Sequence, residues 1–487
     1  MIPPNDMRHK ALLSELDCQT VRLSELERTK RIDAEFFHKR HMRTVQLLKK
    51  RQTRTVIECA DISDGNHFAI SEQFVEEGIP YYRGQDVVGH FFVEQATPVH
   101  ITEAAFREPW MTRSHLRKGD VLLSIVGTIG ELSIVSESTL ATCSCKLAIL
   151  RPRDIAPEYL ATFLRSAHGR SQVERLTRGA VQMGILLEDM DQLRVVRLSD
   201  DLEEKIIKQV QKAKTHFEES ESAFNRAAGV LLKALDLINW QPPSRLTYVR
   251  RFSDVRASTR MDAEHYREEF YAATRRLKEA GAIRFIPVDE LLNMLTNGHT
   301  PLHHDLEVGN VPFLCAEHVS NFEVHYDTDK RILLEQHQLE LARTALHNRD
   351  VLLTIKGRVG NAAMVENLPG PANINQDVAL LRLNNRLPAW FVLAFVNSLF
   401  GQLQVRQLST GGINPFLGLS NVRQLQIPEF EPKLMDQIAK NTEVLVKSAR
   451  SDRQQAYSLL AMATRTVDLA VEQGEKAALA YCSGREE

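Results

Sequence analysis

The sequence predicts an α+β protein made of two tandem mixed α/β domains, each followed by a long helix. Three observations carry this reading. The phrase "DVLLSIVGTIG" (120–130) returns as "DVLLTIKGRVG" (350–360), 230 positions later. Other blocks repeat around it in the same order. Each copy then runs into a stretch with the apolar spacing of a helix that buries one narrow stripe.

The repeat comes first, because it sets the domain count. "RLSELERTKRIDAEFF" (22–37) parallels "RFSDVRASTRMDAEHY" (251–266) at an offset of 229. "IPYYRGQDV" (79–87) parallels "VPFLCAEHV" (311–319) at 232, and "CKLAILR" (145–151) parallels "QDVALLR" (376–382) at 231. "ERLTRGAVQMGILLEDMDQLRVV" (174–196) parallels "RQLSTGGINPFLGLSNVRQLQIP" (406–428) at 232. Ordered blocks whose offsets drift by at most three mark a duplication. Solenoid and propeller units run about 20 to 50 residues, so each copy here is a whole domain. The divisions expected are an N-terminal helical segment at 1–20, a first domain at 21–198 and a central long helix at 199–240. A second domain at 241–431, a C-terminal long helix at 432–475 and a tail at 476–487 complete the chain.

Within each copy the elements keep one order. A charged helix opens it (33–50 and 262–280). Short apolar runs broken by Gly, Pro and Asn read as strands and turns. "VLLSI" and "VLLTI" are continuous apolar runs of strand length, which predicts burial on both faces. The Gly-x-x-Gly after each allows a sharp turn. A helix comes next (157–166 and 388–398), then an irregular stretch, then a last strand.

The long helices close each copy. Alternating four- and three-residue steps pick out Ile206, Val210, Ala213, Phe217, Ser220, Phe224, Ala227, Leu231, Ala234 and Ile238, a coiled-coil seam. "NWQPPSR" (239–245) ends this helix, since paired prolines cannot continue it. The C-terminal seam reads Ile438, Leu445, Ala449, Ala456, Leu459, Ala463 and Ala470. Two such stripes in one chain most simply bury each other, and pairing with another chain is the competing arrangement.

Bulk properties narrow the class. The chain has 487 residues, 43% hydrophobic and 25% charged, which is ordinary globular composition. No run of about 18 apolar residues exists, so no membrane span is expected. "MIPPNDMRHKALLSEL" lacks the basic-then-apolar order of a secretory signal. Six scattered cysteines form no disulfide framework and point to a reduced cytoplasm. The net charge of −2 gives no overall attraction to phosphate, although residues 21–60 hold eleven Lys/Arg against five Asp/Glu.

Two related units on paired helices suit a target with two recognition points at fixed spacing. About 37 residues of helix span about 55 Å, and successive major-groove faces of duplex DNA recur about every 34 Å. The copies keep the apolar strand letters and change the polar ones: Val126 and Thr128 stand against Lys356 and Arg358.

On these residues the chain resembles the specificity (S) subunits of type I restriction–modification systems. The twin "D-V-L-L-S/T-x-x-G-x-x-G" phrases, the twin "R-I/M-D-A-E" openings and "GGINPFLGLSNVRQLQIPEF" (411–430) carry the resemblance, which covers about residues 21 to 471. It implies two target-recognition domains, each reading one half of a split double-stranded DNA sequence. It implies long helices packed as an antiparallel coiled coil, acting as a ruler and docking two methyltransferase subunits and, through them, restriction or translocase subunits. Ile206, Val210, Phe217, Phe224, Leu231, Ile438, Leu445 and Leu459 are the coiled-coil and docking candidates. The resemblance implies a non-catalytic, cytoplasmic chain with no cofactor or metal of its own; S-adenosylmethionine, magnesium and ATP would belong to its partners. The first copy departs from the pattern in lacking the proline of the second copy's last strand.

Absent motifs agree with a non-catalytic part. An adenine methyltransferase needs an Asp/Asn-Pro-Pro-Tyr/Phe loop around the flipped base, and "NPF" (414–416) lacks one proline. No Gly-x-x-x-x-Gly-Lys-Ser/Thr phosphate loop occurs. Gly-x-x-Gly turns also clamp backbone in KH domains, but a preceding strand favours a plain turn. Cys143-x-Cys145 has no second pair for zinc, and "HTPLHHD" (299–305) reads as a solvated or DNA-facing loop. A scaffold of a defence complex that reads no bases is the alternative function.

Phosphate contacts position a protein on DNA and base-edge contacts specify. Arg suits guanine, and Asn and Gln suit adenine. The candidates are therefore the polar residues of the glycine-flanked turns. They are Arg83, Gln85, Thr128, Arg178 and Gln182 in the first domain, and Glu317, His318, Lys356, Arg358, Thr410 and Asn414 in the second. At each, a turn residue bonding its own backbone competes with a DNA contact.

Overall fold

The computed structural model describes residues 31–483 apart from 180–182, 246, 259, 303–307 and 413. The 1–20 segment and Gln182 therefore lie outside the described residues. Longer helices and main-sheet strands are numbered in chain order. The first copy comprises α1 (Lys39–Leu48), β1 (Thr53–Thr55), β2 (Ala60–Asp64), β3 (Val121–Ser124), β4 (Leu132–Ile134), β5 (Leu147–Pro152), α2 (Pro157–Arg165), α3 (Ala167–Leu176), β6 (Arg194–Val196) and the long α4 (Asp200–Ala234). The second comprises α5 (Glu268–Glu279), β7 (Arg284–Pro287), β8 (Leu292–Asn297), β9 (Val351–Thr354), β10 (Ala362–Met364), β11 (Val378–Leu383), α6 (Ala389–Val396), α7 (Leu399–Leu408), β12 (Gln426–Glu429) and the long α8 (Pro432–Gln473), with α9 (Glu475–Ser483) at the end. Contacts divide the chain into two units, residues 1–216 with 454–487, and residues 217–453.

In the first unit a four-stranded antiparallel sheet has the order β2-β5-β3-β4. In the second the order β8-β11-β9-β10 is the same, again antiparallel throughout. Registers match as well: Val121 pairs Leu150 and Ile134, while Val351 pairs Leu381 and Met364. "VLLS" and "VLLT" are buried along their whole length. Alternation explains this, since successive side chains leave a strand on opposite faces. Val351 and Leu353 join a core with Phe391 and Phe395 of α6, and Leu352 joins a separate core with Leu314, Val319 and Ile374. Each domain is closed by pairing its first and last strands, β1 with β6 (Thr53 opposite Val196) and β7 with β12 (Arg284 opposite Glu429).

The opening helices start later than their charge pattern suggests, at Lys39 and Glu268. Asp33 and Asp262 are taken up by Arg31 and Arg260, and Asp33 also accepts the Phe36 N–H at 3.1 Å. The stretch after α2 and α6, expected to be irregular, instead holds a second helix in each copy, α3 and α7. Ser166 caps α3, accepting the Gly169 N–H at 3.2 Å and donating to the Phe163 carbonyl at 2.6 Å. Ser398 repeats this for α7 with Gly401 and Phe395, at 3.4 and 2.7 Å. A Cβ on either glycine would stand 2.2 Å from that same carbonyl oxygen, so only glycine lets the second helix start so close to the first.

The long helices bury most of the expected seam. Ile206, Val210, Ala213, Phe217, Ser220, Phe224, Ala227 and Leu231 are all buried. Ala234 and Ile238 are not: Ala234 is exposed and Ile238 is 60% exposed, because α4 ends at Ala234. There Asp236 takes a φ of 55°, with Leu237 N–H bonding the Leu232 carbonyl at 2.7 Å and Asp236 N–H bonding that of Lys233. That is a Schellman stop, with Leu237 buried beneath it. On α8, Ile438 is buried, but Leu445 and Leu459 are half-buried and Val446 takes the inner place. The inner residues there run Ile438, Thr442, Val446, Ala449, steps of four, four and three, which move the stripe one residue along.

The two helices run antiparallel. In the second unit Arg453 of α8 stacks over Phe224 of α4, and residues 227–237 share a core with residues 435–449. The segment expected as a tail is largely the helix α9. Gly474 breaks α8, and Cys482 of α9 is buried with its sulfur 3.1 Å from Thr466 Oγ1 and 3.8 Å from Gln209 Nε2. No described helix is long and apolar enough to cross a membrane.

Candidate nucleic-acid interface

The glycine phrase builds a turn at the end of β3 and of β9. Gly127 and Gly130 have φ of 83° and 88°, and Gly357 and Gly360 have φ of 76° and 106°, a region glycine enters without strain. The preceding hydroxyl staples each turn. Ser124 Oγ lies 3.0 Å from Thr128 Oγ1, and Thr354 Oγ1 donates to the Arg358 carbonyl while accepting the Asn361 N–H at 2.9 Å. Ser124 and Thr354 are buried, so this polar difference between the copies belongs to the frame.

A second loop is pinned against each turn. After α3, Ile185 N–H bonds the Ile125 carbonyl at 3.0 Å, and Arg178 and Gly184 exchange both backbone hydrogen bonds. After α7, Leu417 N–H bonds the Ile355 carbonyl at 2.9 Å, and Thr410 and Phe416 exchange theirs. Isolated bridges Val126–Gly184 and Lys356–Phe416 complete the match. Beyond these loops the copies diverge: the first has a short 3-10 helix (Leu187–Gln192) and the second a short α-helix (Leu419–Gln424), where the sequences also part.

The "R-x-D" openings anchor these loops from behind. Arg31 donates to the carbonyls of Leu176 and Thr177, and Arg260 to those of Gln407, Leu408 and Ser409. These are the last residues of α3 and α7 and their immediate successors. The Asp of each motif orients the guanidinium that fixes where the second loop begins.

The structure therefore brings Ile125 and Val126 together with Gly184, Ile185 and, through Gly184, Arg178, and Ile355 and Lys356 together with Phe416, Leu417 and, through Phe416, Thr410. In the first domain Gly84 joins them, its carbonyl accepting from Thr128 Oγ1 at 3.1 Å. Gln85 is exposed, while Arg83 is partly covered and folded onto Asp86, with Nε to Oδ2 at 3.0 Å. Arg178 pairs with buried Asp189. In the second domain Lys356, Arg358, Thr410 and Asn414 are exposed, and Lys356 Nζ lies 4.0 Å from Asp377.

Glu317 and His318 sit on a short 3-10 turn in a tighter local network. His318 Nδ1 accepts the Cys315 N–H at 3.0 Å, and burial pulls its imidazole below the usual range. Burial acts to raise the Glu317 carboxyl, but Lys330 overrides it, and the net shift is downward. Ligand-type atoms of Cys315, Glu317 and His318 lie within 4.8 Å of one another. Lys330 Nζ already serves them, 2.6 Å from Glu317 and 3.7 Å from Cys315 Sγ, so a metal would have to displace a cation the chain supplies.

The loop after β2 is absent from the sequence-derived candidates. Strands β2 and β3 both run antiparallel to β5, with Asp64 opposite Ala148 and Ser124 opposite Leu147, so they end at the same edge of the sheet. Residues 65–68 therefore leave the sheet at the same end as the glycine turn, with β5 between them. A repeated glycine marks the place: a Cβ on Gly65 would meet the Ser144 carbonyl at 2.3 Å, and one on Gly298 the Ile374 carbonyl at 1.8 Å.

No family model matches the sequence, and no curated protein matches it. Among solved structures, the chain is similar to the S subunit of a type I restriction–modification system from M. genitalium, with 14% identity, 86% of this chain and 95% of that chain covered, and a TM-score of 0.40. It is also similar to the HsdS subunit from Thermoanaerobacter tengcongensis, with 13% identity, 87% and 97% covered, and a TM-score of 0.28. A chain from a structure of a type I R-M system in complex assembly matches at 12% identity, 85% and 98% covered, and a TM-score of 0.29.

Proposed function

We propose that the chain is a non-catalytic DNA-specificity subunit of a type I restriction–modification complex, reading a bipartite target with one domain per half-site. One observation carries the reading. Both domains present the same edge, a Gly-x-x-Gly turn pinned to the loop after a second helix, and the exposed letters on that edge differ. A shared frame with divergent polar tips is what two readers of different half-sites require. Lys356 and Arg358 suit phosphate or guanine contacts in one half-site, and Gln85, Thr128 and Arg178 lie at the corresponding edge for the other. The antiparallel helices would carry the spacing and dock two methyltransferase subunits. S-adenosylmethionine, magnesium and ATP would act in those partners and the restriction subunits they recruit.

Methylome sequencing of cells holding this chain and its methyltransferase partner tests the reading. A bipartite methylated motif that disappears when this chain is deleted is the expected result. Unchanged methylation without the chain overturns it and leaves the scaffold alternative.

A further inference from the structure

The first domain carries an exposed aromatic pair next to the strand β2, which ends at the same end of the sheet as the glycine turn. Phe68 is 58% exposed and Trp110 36% exposed, with ring centroids 5.0 Å apart and planes tilted by 53°. Large exposed apolar groups are ordinary when scattered singly. This pair differs in how it is held. Buried Asn66 brackets Phe68 with its amide: the Phe68 N–H donates to Asn66 Oδ1, and Asn66 Nδ2 donates to the Phe68 carbonyl, both at 2.9 Å. Buried Asp64 orients two donor groups of the same surface, His67 at 2.6 Å and Arg113. Buried Asn66 thus fixes the Phe68 main chain, and buried Asp64 ties down two nitrogen-rich groups, at the end of the sheet where the glycine turn also starts.

We propose that Phe68 and Trp110 form a nucleobase-contacting aromatic pair in the first half-site, flanked by Arg113 and His67. This rests on the reading of the chain as a DNA-specificity subunit and adds an apolar contact to its polar candidates. Aromatic rings offer bases a stacking face, and apolar wedges enter base steps. A guanidinium beside them meets the adjoining phosphate or base edge. A loop whose main chain is fixed before binding loses little freedom on contact.

The test titrates the full chain with random-sequence duplex DNA at low salt while tracking tryptophan emission. Trp390 is buried and Trp240 stacks on Phe400, so Trp110 is the indole placed to respond. The expected result is quenching that Trp110→Phe removes, with Phe68→Ala binding at least about fivefold more weakly at an unchanged salt slope. Phe68→Leu, with a thermal melt, controls for folding and should retain part of the affinity. If the unsubstituted chain binds no DNA, the specificity reading fails and this inference with it. DNA binding with the same quenching in Trp110→Phe and the same affinity in Phe68→Ala overturns the aromatic contact alone. A Phe68→Ala chain that keeps its DNA affinity but loses its methyltransferase partner also overturns it, and assigns the pair to a protein contact.

Discussion

Arg151 grips Asp120 through two parallel hydrogen bonds of 2.8 Å, Nε to Oδ1 and Nη2 to Oδ2, and Arg382 grips Asp350 in the same way at 2.8 and 2.9 Å. Both aspartates are buried and stand directly before "VLL". Each also accepts a backbone N–H at 2.8 Å, from Arg117 and from His347. The Asp of the repeated phrase therefore locks two neighbouring strands by a charge pair.

Removing one partner of such a pair strands the other. Arg151→Leu leaves the Asp120 carboxylate buried without its cation and is expected to cost about 3 kcal/mol. Urea denaturation checks this. Asp120→Asn combined with Arg151→Leu should cost less than the sum of the two single changes, and strict additivity would mean the pair is not coupled.

Glycine to alanine inside a helix normally gains about 1 kcal/mol. At Gly169 and Gly401 the sign should reverse, because the new methyl would fall 2.2 Å from a carbonyl oxygen of the preceding helix. Gly401→Ala is expected to destabilise by about 1–3 kcal/mol, read as a lower melting temperature. A gain in stability would show that the junction between α6 and α7 yields easily.

His41 is buried, with Nδ1 2.9 Å from Ser171 Oγ, and burial together with neighbouring Arg40 pulls its imidazole down to about 4. Between that value and the unfolded value of about 6.5, the unfolded chain binds a proton that the native chain refuses. Stability contributed here is therefore full above about pH 6.5 and falls as the pH drops towards 4. His41→Gln should flatten that acid-side slope in denaturation measured across the window. An unchanged slope would remove His41 as its source.

Lys356 and Arg358 should contribute chiefly through phosphate or guanine. Replacing either by alanine is expected to weaken DNA binding at ordinary salt. If the contact is to phosphate, the slope of log affinity against log salt should fall by about 0.9 per residue. Binding isotherms at several salt concentrations separate the cases: a lower slope marks phosphate, an unchanged slope with altered site choice marks a base. No change in either removes the residue from the interface.

Much of the fold was legible because duplication printed its frame twice. The apolar strands, the glycine turns and the α4 seam each arise from local periodicity. The second helices were not legible: "AHGRSQVERL" is polar and contains glycine, and α3 exists because Ser166 caps it and Gly169 lets it abut α2. The inner place of Val446 depends on how the facing helix packs, which "EVLVK" does not reveal. The periodicity and glycines showed where both turns lie, but nothing in the sequence pairs Phe68 with Trp110, 42 positions away. The Asp120–Arg151 lock did leave a trace. "CKLAILR" and "QDVALLR" both end in arginine where a buried strand would otherwise stay apolar.

The pairing of each domain's first and last strands bears on inheritance. With Arg54 opposite Val195 and Phe285 opposite Pro428, chain arrives and departs side by side. A recombination event that replaced everything between such strands would meet a single short seam. Such an exchange would replace the strands, turns and short helices of one domain and leave the long helices as they are.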